Sequence, residues 1–192
     1  MSSFRTAVFL SALALFSPLA LAQQASTEPF VDNDFVQKEF GSSCSLVGLP
    51  ALKADLDGDG VEDLVIPARC SSPLMNQGEN NYVVLDPYNS FFGYGNPKVT
   101  TAFVADDPAR RGYSILVIHG FGPDAWHAAT PKAKFMLVNI PYKEVMVRKL
   151  STKKKKSHMA IYVNETEGDG MTSAIFWDGR KYRYEPMGSS MN

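Results

Sequence analysis

Beyond residue 41 the chain is dominated by short apolar runs bounded by Pro, Gly and Asp, a pattern that predicts strands rather than long helices. Leu64-Val65-Ile66 is one such run, stopped by Pro67, and Asn81 to Leu85 is another, stopped by Asp86-Pro87. Val99–Val104 and Tyr113–His119 flank Asp106-Asp107-Pro108, which predicts a hairpin. Lys134–Ile140 and Glu144–Leu150 follow on either side of Pro141, then Met159–Val163 and Ser173–Trp177. Asp178-Gly179, set between Ala174–Trp177 and Arg180–Tyr184, predicts a two-residue hairpin. Helical spacing is confined to Asn33–Phe40, where Phe35, Val36 and Phe40 share a face, Asp32 or Asn33 can cap and Gly41 can terminate. Asp124–Ala129 predicts one further helical turn. The expected fold is a small β-rich α+β domain with a mostly antiparallel sheet and one or two short helices.

The first residues follow a different pattern. Met1–Arg5 carries one positive charge, Thr6–Leu19 is mostly apolar, and Ala20-Leu21-Ala22 presents the small-x-small pattern of a signal-peptidase site. The apolar run is short for a membrane span and contains Pro18. The expected organisation is a signal peptide over 1–22, a linker over 23–29 and a single domain over 30–192, placed in the periplasm or secreted. No later apolar stretch approaches spanning length. Removing residues 1–22 takes away one basic residue, Arg5, and leaves 20 acidic against 18 basic side chains, which argues against a nucleic-acid partner. The two cysteines, Cys44 and Cys70, point to a disulfide in an oxidising compartment, with free thiols or half a metal site as alternatives.

Candidate chemistry concentrates in Asp55-Leu56-Asp57-Gly58-Asp59-Gly60-Val61-Glu62-Asp63. Carboxylates at the first, third and fifth positions can converge on one hard cation. Gly60 allows the turn that brings in the Val61 carbonyl, and Asp63 closes the set. Oxygen ligands in this number suit Ca²⁺ better than Mg²⁺, and the absence of His or Cys argues against Zn²⁺. The position three residues beyond Asp63 is Ile66, where a helix-loop-helix site needs a bidentate Glu, and the loop runs into a strand-like segment. The stretch Asp55–Ile66 resembles the calcium loops of FG-GAP/VCBS-type repeats, the modules of integrin-like β-propellers. The resemblance implies that Asp55, Asp57, Asp59 and Asp63 are side-chain ligands and Val61 a carbonyl ligand. A full propeller needs several blades, so a lone module within another β-rich fold is expected. Glu165–Phe176 aligns without gaps to Asp55–Ile66, with Glu165, Glu167 and Asp169 at the acidic positions and Ser173 in place of the closing Asp, as in a degenerate second copy.

Other constellations carry less. His119-Gly120 follows an apolar run as in an α/β-hydrolase, but the chain has no Gly-x-Ser-x-Gly elbow. His119, His127 and Asp124 match no ligand spacing. Lys153–Lys156 reads as a solvated turn that discourages edge pairing, and Phe91–Pro97 as an aromatic, Gly-rich loop. The functional expectation is an exported module with structural Ca²⁺ that binds an envelope protein or glycan. The alternative is a secreted hydrolase with a site near His119–His127 and calcium as a brace.

Overall fold

The computed structural model describes residues 30–93, 112–151, 157–165, 170 and 172–187. The expected β-rich α+β domain is what it contains: two sheets, three short helices, and no closed barrel or propeller among the described residues. In chain order the elements are α1 (Asn33–Phe40), β1 (Cys44–Leu46), β2 (Leu52–Ala54), β3 (Asp63–Cys70), β4 (Val83–Leu85) and α2 (Pro87–Phe92). They continue with β5 (Tyr113–His119), a short 3-10 segment (Gly122–His127), β6 (Ala133–Val138), β7 (Glu144–Ser151), β8 (Ser157–Asn164), β9 (Ser173–Trp177) and β10 (Tyr182–Pro186).

The first sheet runs β1-β3-β5-β6-β4, with β2 also paired to β3, and is antiparallel except for β4 beside β6. The second runs β10-β9-β8-β7 and is antiparallel throughout. Strand periodicity sorts the side chains of the first sheet into two cores. Leu64, Ile66, Leu116, Ile118, Met136 and Val138 pack with Val36 and Phe40 of α1 on one face. Val65, Ile115, Val117, Phe135 and Leu137 face Val145, Ile161, Val163 and Ile175 of the second sheet. The order of layers is therefore α1, first sheet, second sheet. A sheet covered on both faces explains why β3 and β5 read as unbroken apolar runs.

α1 begins with the Asp32 carboxylate accepting the Phe35 amide at 2.8 Å and ends at Gly41, whose φ of 95° favours glycine. Cys44 and Cys70 are opposite partners on β1 and β3 and form a buried disulfide. In the loop-entropy picture a bridge closing this interval stabilises by about 3.5 kcal/mol.

Three local expectations need correction. Pro67 does not stop β3, which continues to Cys70. β2 pairs only as far as Val65 and β1 begins at Ala68, so no strand lies against that edge of β3 at Pro67 and a residue without an N–H is accommodated. The Asp178-Gly179 turn is not a two-residue hairpin, because Tyr182 pairs with Trp177 and four residues close the loop. The Asp178 carboxylate accepts the amides of Arg180 and Lys181, both at 2.9 Å, and so stabilises the longer turn. Phe91 and Phe92 close a helix instead of lying in a loop: Asp86 caps it and Pro87 occupies its first turn. The expected strand Val99–Val104 and the lysine run Lys153–Lys156 lie outside the described residues.

Candidate metal centre

β2 and β3 form a hairpin in which Ala54 is the partner of Asp63, so residues 55–62 are its connecting loop. The loop is shaped by its own carboxylates. Asp55 accepts amides from Gly58 at 2.8 Å, Asp59 at 3.1 Å and Gly60 at 2.9 Å. Asp57 accepts the Asp59 amide at 3.3 Å, and Asp59 accepts the Val61 amide at 2.9 Å. Gly60 has a φ of 85°, the left-handed conformation the turn requires. Leu56, between the first two aspartates, is buried in the inter-sheet core and anchors the loop to it.

Asp63 ties the loop to the next strand. Its two carboxylate oxygens accept amides from Leu56 at 2.7 Å and Gly120 at 2.8 Å. Gly120 must approach closely: a Cβ there would collide with the Glu62 carbonyl and the Ala125 backbone. Burial pushes the Asp63 carboxyl up to about 7, against the two amides and helped by the charges of Asp57 and Asp55.

Asp55, Asp57 and Asp63 each place a carboxylate oxygen within 4.8 Å of the others, and such a cluster can hold a metal ion. An all-carboxylate donor set fits a hard cation. Asp59 is drawn outward, to a partner the loop sequence does not announce. The Lys132 ammonium lies 2.5 Å from Asp59 Oδ2 and 2.7 Å from Asp57 Oδ2, and these two contacts hold it more firmly protonated than an ordinary lysine. Val61 stands at the turn with its amide on Asp59, and the Glu62 carboxylate faces away, 3.3 Å from Trp126 Nε1.

Behind the loop is a second unannounced partner. His119 continues the face of β5 that carries Ile115 and Val117, so its ring enters the inter-sheet core beside Phe135, Trp177 and Tyr182. Its Nε2 is 2.7 Å from the Tyr182 hydroxyl and its Nδ1 is 3.4 Å from Asp57 Oδ2. Burial keeps Tyr182 protonated well into the alkaline range and holds His119 neutral despite Asp57. The carboxylate oxygen facing Nδ1 can only accept, which places the His119 proton on Nδ1 and leaves Nε2 to accept the Tyr182 hydroxyl. Asp57 is thereby linked to β10 of the second sheet.

The other candidates are dispersed. His127 is exposed and lies against the Trp126 ring, Asp124 is exposed, and among the described residues no hydrogen bond or ion pair joins either to His119. The second acidic loop connects β8 and β9, with Val163 opposite Ser173. Glu165 Oε1 accepts the hydroxyls of Ser173 at 2.8 Å and Tyr184 at 2.7 Å. Positions 166–169 and 171, which include Glu167 and Asp169, lie outside the described residues. Comparison with protein-family models, with curated proteins and with solved structures finds no match to this chain.

Proposed function

We propose that the Asp55–Asp63 loop is a structural Ca²⁺ site in an exported binding module. The observation that carries this reading is the convergence of Asp55, Asp57 and Asp63 within 4.8 Å. A strand-to-strand loop of this sequence is also where the FG-GAP/VCBS-type pattern places its calcium. Ca²⁺ is favoured over Mg²⁺ because carboxylates fixed by backbone amides supply many oxygens in irregular geometry, which suits the larger ion. Asp59 and the Val61 carbonyl complete the coordination once the loop closes on the ion. Export to an oxidising compartment is supported by the Cys44–Cys70 bridge. Among the described residues no helix is long and apolar enough to cross a membrane.

The binding role is supported by an aromatic group at the α2–β10 junction. Phe91 and Phe92 are 50% and 46% exposed and stand beside Tyr88 and Tyr184. Rings arranged this way suit an envelope glycan or protein surface. Tyr94, which belongs to the same sequence motif, lies outside the described residues.

Thermal melts of the purified protein in 1 mM Ca²⁺ and in excess chelator test the calcium reading. With a dissociation constant of about 10⁻⁴ M, typical of extracellular modules, the ion adds about 1.4 kcal/mol. The expected rise in Tm is about 3–6 °C. The shift disappears in Asp57→Ala/Asp59→Ala. No shift in the parent protein, with no calcium detected by titration calorimetry, would reduce the loop to an acidic turn.

A further inference from the structure

The carboxylates of the loop are not left to repel one another, because a cation from a distant part of the chain already stands among them. Lys132 is separated from Asp57 by 75 positions and from Asp59 by 73, yet its ammonium reaches both at hydrogen-bond distance. It belongs to the segment between the 3-10 turn and β6, so it is independent of the loop's own conformation. The Asp57 side chain is 4% exposed, and at that depth an uncompensated carboxylate is unfavourable.

We propose that Lys132 is a built-in competitor for the metal: its ammonium holds the loop in an ion-free form, and Ca²⁺ binds by displacing it. This rests on the calcium reading above. Asp57 belongs to the convergent cluster, and with Oδ1 of Asp57 and of Asp59 each accepting a backbone amide, the Oδ2 atoms that accept from Lys132 are the oxygens these two residues can offer a cation. Calcium–oxygen distances are about 2.3–2.6 Å, so an ion bound through Asp57 Oδ2 and Asp59 Oδ2 would stand where the ammonium stands. Two positive centres do not share that position.

The geometry makes displacement inexpensive. The Lys132 backbone is fixed, its amide donating to the His119 carbonyl at 3.0 Å, so only the side chain has to move. That side chain is 43% exposed and borders an open cavity of about 540 Å³ lined by Phe121, Pro123, Ala128 and Pro131 among others. The stem can rest on these apolar groups while the ammonium enters solvent. Asp59 is then released toward the ion. The consequence is a domain that folds without metal and binds it less tightly than its carboxylates alone would allow.

The experiment is calcium titration calorimetry on the parent protein, Lys132→Met and Lys132→Arg, with parallel melts in chelator. Lys132→Met is expected to bind Ca²⁺ about tenfold more tightly, the worth of two partly exposed ion pairs released from competition. It should melt at a lower temperature than the parent in chelator. Lys132→Arg keeps a cation at the site and should bind more weakly than Lys132→Met. A merely structural lysine would lower both quantities together, so equal or weaker binding by Lys132→Met overturns the proposal while the calcium site stands. No binding by the parent or any variant overturns the calcium reading as well. A measurement on the parent alone guards against a variant that fails to fold. Amine labelling of Lys132, read by mass spectrometry, should be several-fold faster in Ca²⁺ than in chelator, and an unchanged rate overturns displacement.

Discussion

The loops Asp55–Asp63 and Glu165–Ser173 both connect antiparallel strands but differ in what their described carboxylates do. Each joins adjacent antiparallel strands, β2 to β3 and β8 to β9, and each leads into a strand that begins at its ninth residue, Asp63 or Ser173. In the first loop the ninth residue is a buried carboxylate that accepts amides from Leu56 and Gly120 and so fastens the loop to the end of β5. In the second it is a buried hydroxyl that donates back to Glu165, which also receives the Tyr184 hydroxyl. One loop gathers carboxylates, two of which are met by the Lys132 ammonium. The other spends its first carboxylate on neutral donors of its own sheet. The residue at the closing position differs accordingly: a carboxylate that joins an acidic cluster in the first loop, a hydroxyl that serves Glu165 in the second.

The largest expected effect is at that closing position. Asp63→Ala removes the acceptor of two buried amides and should cost about 3 kcal/mol, whereas Ser173→Ala removes one hydroxyl bond and should cost about 1 kcal/mol. Urea unfolding in chelator measures both, and equal costs would erase the distinction between the loops. Gly120→Ala follows at about 2 kcal/mol, since the added Cβ meets the Glu62 carbonyl and the Ala125 backbone and pushes the Gly120 amide off Asp63. A neutral Gly120→Ala would mean that the first loop is not held by that amide.

Asp63 also gives the first loop a pH signature. Burial raises its carboxyl from the ordinary 3.8 to about 7 in the folded, metal-free protein. Between these values the unfolded chain has lost a proton that the folded chain keeps, so the Asp63 contribution to stability is greatest near pH 4 and declines toward pH 7. His119, held neutral by burial, contributes a slope of opposite sign, losing stability as pH falls below the usual histidine range. Comparison with Asp63→Asn cancels the His119 part. In chelator, the stability of the parent relative to Asp63→Asn should fall from pH 4 to pH 7 and then level off. A difference that rises over this interval would assign Asp63 a carboxylate stabilised by its amides.

The backbone of the first loop was largely legible in the sequence, and its partners were not. Alternating aspartates with Gly60 at the turn announced the carboxylate cluster, and the capping signals at Asp32 and Gly41 gave α1 its observed bounds. β1 and β2 leave no signal in the sequence, because three residues each, set among Gly and Pro, carry too little periodicity. Lys132 and the His119–Tyr182 pair could not be inferred, because tertiary packing brings together residues 75 positions apart in the Lys132–Asp57 contact and 63 apart in the His119–Tyr182 contact. His119 gave one local hint: it ends an apolar run whose alternate residues face the second sheet, a place where a histidine requires a polar partner.

The smallest effect tests whether the two loops are energetically separate. Tyr184 donates its hydroxyl to Glu165 while its ring packs beside Tyr88, Phe91 and Phe92, so Tyr184→Phe removes the bond and keeps the packing. The expected cost is about 1 kcal/mol, read as a fall in Tm of about 2–4 °C. Calcium affinity should not change, because the Tyr184 hydroxyl serves Glu165, whereas Tyr182, two residues earlier, holds the His119 ring that faces Asp57. A matching Tyr182→Phe, which deprives His119 Nε2 of its donor, should weaken calcium binding by loosening the imidazole that faces Asp57. If Tyr184→Phe moves the calcium affinity as much as Tyr182→Phe does, the second sheet transmits between the loops and they act as one unit. If only Tyr182→Phe moves it, His119 is the sole route by which β10 reaches the cation.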